Sequence, residues 1–180
     1  MEEGGGAVKA IDKDGLLLCE MQAKAFELSV DYTDVSSAVF VRRFMKSRVA
    51  QWMDGRAILA SNVQPLDMLA MVEEQYGHSE YGSQKYTHNE MYWIGYIYRY
   101  YAYTYEKSSA SVYRVIKPKE LRDLFLPYHT LDPAQAIERI LEAKGMHQVH
   151  EDDILYQYEI FKKVRNAGNG GKTWQTDDGR

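Results

Sequence analysis

The sequence has few cysteines, no long apolar run and a small net charge, so it lacks the features of a disulfide-stabilised, membrane-spanning or highly charged protein. Its single cysteine, Cys19, excludes a disulfide within the chain. Because Cys19 ends an apolar run that begins at Leu16, we expect a buried and unreactive thiol. No apolar run approaches the roughly 20 residues that cross a bilayer, so we expect no membrane span. The formal net charge of −4 does not indicate a strongly acidic or basic partner.

Patterns typical of β-structure and of secretion are also missing. No segment alternates apolar and polar residues as a half-buried strand does, and we find neither a hairpin dipeptide nor an internal repeat. The first residues, Met-Glu-Glu-Gly-Gly-Gly, lack the basic start and the long apolar stretch of a secretory signal. We therefore predict an all-α protein, and a bacterial cytoplasmic location is the simplest interpretation.

Motifs for catalysis and for metal binding are present only as fragments. The run Gly168–Thr173 resembles a phosphate-binding loop, but Asn166 stands where that loop needs glycine. Asp12–Gly15 matches the start of a calcium loop without its later acidic ligands. His147–Asp152 combines two imidazoles with two carboxylates, a pattern that we interpret as a polar turn before a helix rather than as a metal site. We expect no catalytic residue, no metal and no cofactor.

The most unusual feature that is present is a run of aromatic residues. Between Tyr92 and Tyr105 the chain places seven tyrosines and one tryptophan in fourteen residues. Thr87-His88-Asn89-Glu90, directly before this run, has the form of a capping box, in which a hydroxyl and a carboxylate bind the first free amides of a helix. A helix that is apolar on nearly every side normally lies at the centre of a domain. We therefore predict a central Tyr-rich helix that ends near Lys107.

Start and stop signals predict further helices on both sides of the Tyr-rich one. The predicted helices run from Asp14 to Asp31, from Ser36 or Ser37 to Met53, from Leu66 to Tyr76, from Val112 to Ile116, from Lys119 to Phe125, from Pro133 to about Gly145, and from about Ile154 to Arg165. We predict one bundle of about six or seven helices at residues 13–165. A flexible lead (residues 1–12) and a flexible, Gly-rich tail (residues 166–180) complete the chain.

The Tyr-rich helix also provides the candidate binding residues. On a helix, Gly95, Arg99, Ala102 and Glu106 fall on one narrow seam, and large side chains cover the other sides. One interpretation is a core helix whose phenol groups reach the rim, with Arg99 in an internal salt bridge to Glu106 or to a carboxylate of a neighbouring helix. The other is a protein-binding surface, because Tyr and Arg contribute much of the energy of interfaces. For that surface we select Tyr96, Arg99, Tyr100 and Tyr103.

A cluster of cations forms a second candidate site. Arg42, Arg43 and Lys46 lie on one side of the helix predicted after Ser36, opposite its apolar side chains. Such a cluster is typical of a solvated helix face, and the alternative is contact with nucleic acid or with an acidic protein. The overall acidity of the chain and the lack of a clear helix-turn-helix spacing weigh against DNA as the main ligand.

Several segments together resemble a family of small bacterial proteins commonly labelled antitoxins of toxin–antitoxin pairs. The resemblance is carried by Ser36–Met45, Lys85–Thr87, Tyr92–Glu106, Tyr113–Arg122 and Leu131–Ile137, and it covers most of residues 15–145. It implies a protein that binds and neutralises a cognate toxin, and antitoxins often repress their own operons. It brings no functional residues with it, so the candidate residues named above rest on side-chain chemistry alone.

Three functional hypotheses follow from these observations. The first is an antitoxin-like interaction protein whose Tyr- and Arg-rich face binds a toxin. The second is a nucleic-acid-binding regulator that contacts operator DNA through Arg42, Arg43 and Lys46. The third is an enzyme with an unfamiliar site around His147, His150 and Arg99, although no acid–base pair is visible there.

Overall fold

A computed structural model of the protein describes residues 7–146 and 158–165. Residues 158–165 are helical and are described by themselves. The His147–Asp152 cluster, the Gly168–Thr173 run and the predicted tail lie outside the described residues. No helix among the described residues is both long enough and apolar enough to cross a membrane.

The described part of the chain is all-helical, without a strand, as the sequence predicts. Within residues 8–146 the helices are α1 (Lys13–Tyr32), α2 (Ser37–Met45), α3 (Arg48–Asp54), a 3-10 helix (Ala57–Ala60), α4 (Pro65–Tyr76), α5 (His88–Thr104), α6 (Ser109–Val115), α7 (Pro118–Tyr128) and α8 (Pro133–Ala143). The number of helices therefore exceeds the predicted six or seven, because one predicted helix is divided and the 3-10 helix was not predicted.

The divided helix is the one predicted to continue from Ser36 to Met53. Ser47 interrupts it: its hydroxyl donates a hydrogen bond to the Phe44 carbonyl (2.6 Å) and accepts one from the Ala50 amide (3.1 Å). A serine that binds its own backbone in this way competes with the continuing helix and caps a new one. The apolar side chains before and after Ser47 keep a similar spacing, which is why the periodicity did not reveal the break.

In the described part of the chain, the contact between α1 and α5 is the most extensive contact between two helices. The two helices are antiparallel, since Gly15 meets Tyr103 at one end and Asp31 meets His88 at the other. Gly95 and Arg99 of the predicted seam face α1, whereas Glu106 lies beyond the end of α5 with φ 51° and is not part of the helix. At Gly95 an added Cβ would lie 2.8 Å from Cγ of Phe26 and 3.0 Å from Cα of Ala23. Only glycine therefore allows the two backbones to approach so closely.

The rest of the core surrounds this helix pair. Phe26 of α1 packs edge-on against Phe40 and Phe44 of α2, with ring centroids 5.3 and 4.9 Å apart. On the other side of α5, the Tyr98 hydroxyl donates to the carbonyl of Ile116, so a fully buried phenol group is satisfied by the backbone that follows α6. The Tyr-rich helix is thus central to the bundle, as its composition predicts.

Both ends of the α1–α5 pair are held by local hydrogen bonds. The capping box predicted at Thr87 and Glu90 is present at the start of α5. At the other end, Asp12 rather than Asp14 caps α1, because its carboxylate accepts from the Gly15 amide at 2.9 Å. Within the segment predicted as a flexible lead, the Lys9 amide donates to the Thr104 carbonyl at 2.8 Å. This bond attaches the residues before α1 to the end of α5.

We expect Gly95→Ala to destabilise the bundle by about 1–3 kcal/mol, because the added methyl group must move α1 away from α5. Urea denaturation followed by circular dichroism measures this change. Gly55→Ala is the matched control: Gly55 has φ −81° and its Cβ would meet nothing closer than 3.7 Å, so stability should stay within about 0.5 kcal/mol of the wild type. Equal stability of the two variants would contradict the close packing at Gly95.

Candidate functional site

Arg99 lies in the interior of the bundle, with only 1% of its surface exposed. Its Nε donates to Oε1 of Gln22 at 2.9 Å, its Nη1 to Oδ1 of Asp54 at 2.6 Å, and its Nη2 to Oγ of Ser109 at 2.7 Å. A planar guanidinium can bind three partners in different directions at once. We call these four residues the Arg99 network.

The partners of Arg99 also bind one another or the backbone. Asp54 accepts from the Ser109 amide at 2.9 Å and from the Ser109 hydroxyl at 2.6 Å. The Gln22 amide nitrogen donates to the Gly95 carbonyl at 2.9 Å. Among the described residues, no buried side-chain nitrogen or oxygen lacks a hydrogen-bond partner. The network joins α1, the end of α3, α5 and the start of α6, so its geometry is that of a structural crosslink.

This geometry corrects the sequence-based placement of Arg99 on a partner-binding surface. Of the two roles considered, the internal salt bridge is the one observed, and the carboxylate belongs to Asp54 rather than to Glu106. Tyr103 is also placed differently from the expectation. It is only 7% exposed, and its hydroxyl donates to Asp12 at 2.6 Å. Neither side chain is available to a partner unless the bundle rearranges.

Tyr96 and Tyr100 lie at the surface of α5, together with Tyr92, one turn before them. The Tyr92 and Tyr96 rings are stacked with centroids 6.5 Å apart, and the Tyr96 and Tyr100 rings with centroids 6.3 Å apart. Tyr92 is 37% exposed, and the other two are half-buried. The three rings form a continuous row because residues four positions apart share one face of a helix.

Helix α1 borders this row. Glu20 lies close enough to add to the raised pKa values of Tyr92 and Tyr96, although burial is the main cause and raises the pKa of Tyr96 to about 12. Leu16, one turn before Glu20 on the same face of α1, is 41% exposed. We call Tyr92, Tyr96, Tyr100, Leu16 and Glu20 the tyrosine face. Its row of phenol rings is neutral at physiological pH, and at Tyr92 it lies near Glu20, Glu27 and Lys24 of α1.

The predicted cluster of cations is split by the fold. Arg43 turns towards α4, where its Nη1 donates to the Gly77 carbonyl at 2.9 Å and its guanidinium lies over the ring of Tyr76. The exposed Arg42 and Lys46 lie near Tyr113 instead, and Lys46 Nζ is 5.6 Å from its ring centroid.

Lys117, which follows α6, joins the same group, with its Nζ 4.2 Å from the centroid of the Tyr113 ring. We call Arg42, Lys46 and Lys117 around Tyr113 the basic patch. The third cation of this surface is therefore Lys117 and not Arg43 as predicted. Linear spacing could not reveal this, because Lys117 lies far from Arg42 and Lys46 in the sequence.

Other candidate groups carry no reactive geometry. Cys19 is fully buried, and burial raises the pKa of its thiol to about 12, which leaves it protonated and unreactive at neutral pH. Among the described residues, no group of three or more histidine, cysteine, aspartate or glutamate side chains is arranged to hold a metal ion.

Three residues of the Arg99 network were not identified from the sequence. Gln22, Asp54 and Ser109 belong to different helices or helix ends, 77, 45 and 10 positions from Arg99. The available signal was Arg99 itself, since an arginine within an apolar helix needs a carboxylate and further acceptors. The sequence contains 26 acidic residues, and linear spacing does not indicate which of them is the partner.

Comparisons with known proteins leave the chain without an assigned relative: no family model, no curated protein and no solved structure matches it significantly.

We expect Arg99→Met to lower the free energy of unfolding by about 3–5 kcal/mol, because it leaves Asp54 without its cation and Gln22 without a donor. Arg99→Lys should cost less, about 2 kcal/mol, since an ammonium keeps the charge but cannot reach three acceptors in one plane. Urea denaturation measures both changes.

Arg139→Met on the exposed side of α8 is the matched control and should change stability by less than about 0.5 kcal/mol. If Arg99→Lys were as stable as the wild type, the three-way hydrogen bonding of Arg99 would not contribute to the fold. This second variant keeps the test informative if Arg99→Met does not fold.

Proposed function

We propose that this protein acts by binding another protein through the tyrosine face. In keeping with the antitoxin resemblance of its sequence, we propose a cognate toxin as the partner and neutralisation by complex formation as the outcome. The observation that carries the proposal is the row of three stacked, partly exposed tyrosines on α5. Core packing accounts for part of this row, because Tyr100 packs against the core, but it leaves Tyr92 37% exposed.

The chemistry of the tyrosine face supports a protein partner. Tyrosine offers a large apolar ring and a hydrogen-bonding hydroxyl while losing little rotamer freedom on binding, which is why it is enriched in interface centres. Tyr92, Tyr96 and Tyr100 each keep a polar group at the rim of the bundle. The exposed Leu16 adds apolar area on the neighbouring helix α1. Together these groups match the composition of an interface core with a charged edge, which at Tyr92 consists of Glu20, Glu27 and Lys24.

The rigidity of the underlying helix supports the proposal as well. Helix α5 is held by α1 along its length and by the Arg99 network near its middle. Neighbouring rings in the row also contact one another, so each limits the rotamers of the next. A surface that is already ordered loses less conformational entropy when a partner binds.

We expect Tyr96→Ala and Tyr100→Ala each to weaken the complex by about 2 kcal/mol, or roughly 30-fold in Kd, since central interface tyrosines are typical hot spots. The product of the adjacent gene is the partner to test first, by pull-down, by calorimetry and by rescue of growth when both proteins are expressed. Both variants should keep the circular dichroism spectrum of the wild type.

Tyr81→Ala is the matched control, because Tyr81 is 72% exposed in the loop before α5, where its carbonyl accepts from the Ser36 amide at the start of α2. It should change Kd by less than about threefold. If the wild type formed no complex and relieved no toxicity, the antitoxin proposal would fail. If Tyr96→Ala and Tyr81→Ala had equal effects, the tyrosine face would not be the binding surface.

The basic patch supports a second candidate function, binding of nucleic acid. The exposed Arg42, Lys46 and Lys117 lie around one aromatic ring, that of Tyr113. The nearby Glu120 is paired with Lys144; burial raises the pKa of its carboxyl, but the hydrogen bonds from Lys144 and from the Lys117 amide lower it below the usual value. Such a positively charged surface attracts the phosphate groups of DNA. This function is compatible with the first, because the basic patch and the tyrosine face share no residues.

If the basic patch binds operator DNA, the double variant Arg42→Gln/Lys46→Gln should weaken binding and reduce the slope of log K against log salt by about 2. Gel-shift or anisotropy titrations at several salt concentrations, with a DNA fragment from the protein's own promoter, measure this slope. Arg43→Gln is the matched control, since Arg43 is engaged with Gly77 and Tyr76. No binding by the wild type at low salt would exclude this function.

A further inference from the structure

A cavity of about 280 Å³ opens beside the Arg99 network, at the end of the bundle where the residues before α1 meet the ends of α3 and α5. It is separate from the tyrosine face and from the basic patch. Besides Arg99, which is paired with Asp54, three cations line it: Lys9 before α1, Arg56 after α3 and Lys107 after α5. We call it the cationic pocket. Because its cations come from three separate segments, they converge only in the folded chain.

None of these three cations forms an ion pair with another described residue. Lys9 and Arg56 instead lie against the ring of Tyr103, with Lys9 Nζ 3.9 Å and Arg56 Cζ 4.8 Å from its centroid. An aromatic ring holds a cation in place without neutralising its charge. Lys9 and Arg56 also lie near enough to Asp12 to help lower the pKa of its carboxyl, so Asp12 balances part of their charge, whereas Lys107 has no ion-pair partner among the described residues.

Carboxylates also face this region. Asp54 lines the cavity but is paired with Arg99 and Ser109. Asp12 lies next to it, where hydrogen bonds from the Tyr103 hydroxyl and the Gly15 amide lower the pKa of its carboxyl. Glu106 lines the cavity as well. Among the residues that line the cavity, four cations (Lys9, Arg56, Arg99 and Lys107) outnumber two carboxylates (Asp54 and Glu106). Asp12 and Asp14 lie near Tyr103, which also lines it.

The backbone around the cavity is strained at two points. Arg56 has φ 60° and Glu106 has φ 51°, and they are the only residues other than glycine with positive φ in the described part of the chain. Both line the cationic pocket. Glycine adopts this conformation freely, yet Gly55, one position earlier, has φ −81°. Both residues directly follow the C-cap of a helix, where a left-handed residue commonly ends the helix, and at residue 56 this turn places a guanidinium at the cavity.

We propose that the cationic pocket binds the phosphate group of a small phosphorylated molecule. A phosphate monoester carries nearly two negative charges and three acceptor oxygens, which matches three converging donors better than a single carboxylate does. Arg56 supplies a forked pair of donors, and Lys9 and Lys107 supply point charges. The cavity holds more than a single water molecule, so an organic group attached to the phosphate also has room.

Isothermal titration calorimetry of the full chain at low salt tests this site with ribose 5-phosphate, inorganic phosphate and acetate. We expect saturable binding of both phosphate probes and at least about tenfold weaker binding of acetate, whose single charge engages fewer donors. Tighter binding of ribose 5-phosphate would identify a phosphorylated metabolite as the ligand. Equal binding of the two would identify free phosphate.

Two variants distinguish the effect of the Arg56 guanidinium on binding from the effect of the left-handed backbone. Arg56→Gly and Glu106→Gly both relieve a left-handed residue at the same cavity but remove charges of opposite sign. Arg56→Gly should weaken phosphate binding by about tenfold, and Glu106→Gly should leave it equal or tighter. Lys107→Gln should also weaken it about tenfold, without changing the backbone at residue 56.

The proposal is overturned if the wild type shows no saturable binding of either phosphate probe. It is also overturned if Arg56→Gly and Lys107→Gln bind as tightly as the wild type, or if Glu106→Gly weakens binding as much as Arg56→Gly does. These measurements need no protein partner, so their outcome is independent of the test of the tyrosine face.

Discussion

The bundle depends on one buried charge. Arg99 sits in the middle of an aromatic helix, where an unpaired guanidinium would be very unfavourable. Its three hydrogen bonds reach Gln22, Asp54 and Ser109, so α1, α3 and α6 must each hold their place relative to α5. Apolar packing alone would tolerate small shifts between these helices. A planar cation with three fixed acceptors does not, because any shift leaves a buried polar group unsatisfied.

The Arg99 network also determines which side chains of α5 are buried and which lie at the surface. Because Gly95 and Arg99 face α1, the helix has a fixed rotation within the bundle. That rotation buries Tyr98 completely and leaves Tyr96 at the surface, although the two differ by only two positions. The same network forms one wall of the cationic pocket, since Asp54 and Arg99 line it. The tyrosine face and the cationic pocket are therefore both consequences of how one helix is held.

Local signals in the sequence predicted local structure well. The capping box at Thr87 and the Pro-led starts of α4 and α8 are all present, because each depends only on residues within one turn. Prediction was weaker where a single side chain decides whether a helix continues or ends. Ser47 ends one helix and begins another through two hydrogen bonds, and serine is also acceptable within a helix.

The sequence by itself determined the all-helical class, most helix boundaries, the central position of the Tyr-rich helix and the burial of Cys19. These follow from periodicity, capping chemistry and composition, which act over short distances along the chain. Only the tertiary structure decided that Arg99 pairs with Asp54, that Arg43 is separated from Arg42, and that Lys9 and Lys107 share one cavity. Such pairings depend on the rotation and offset of packed helices, and residues far apart in sequence carry no local signal of them.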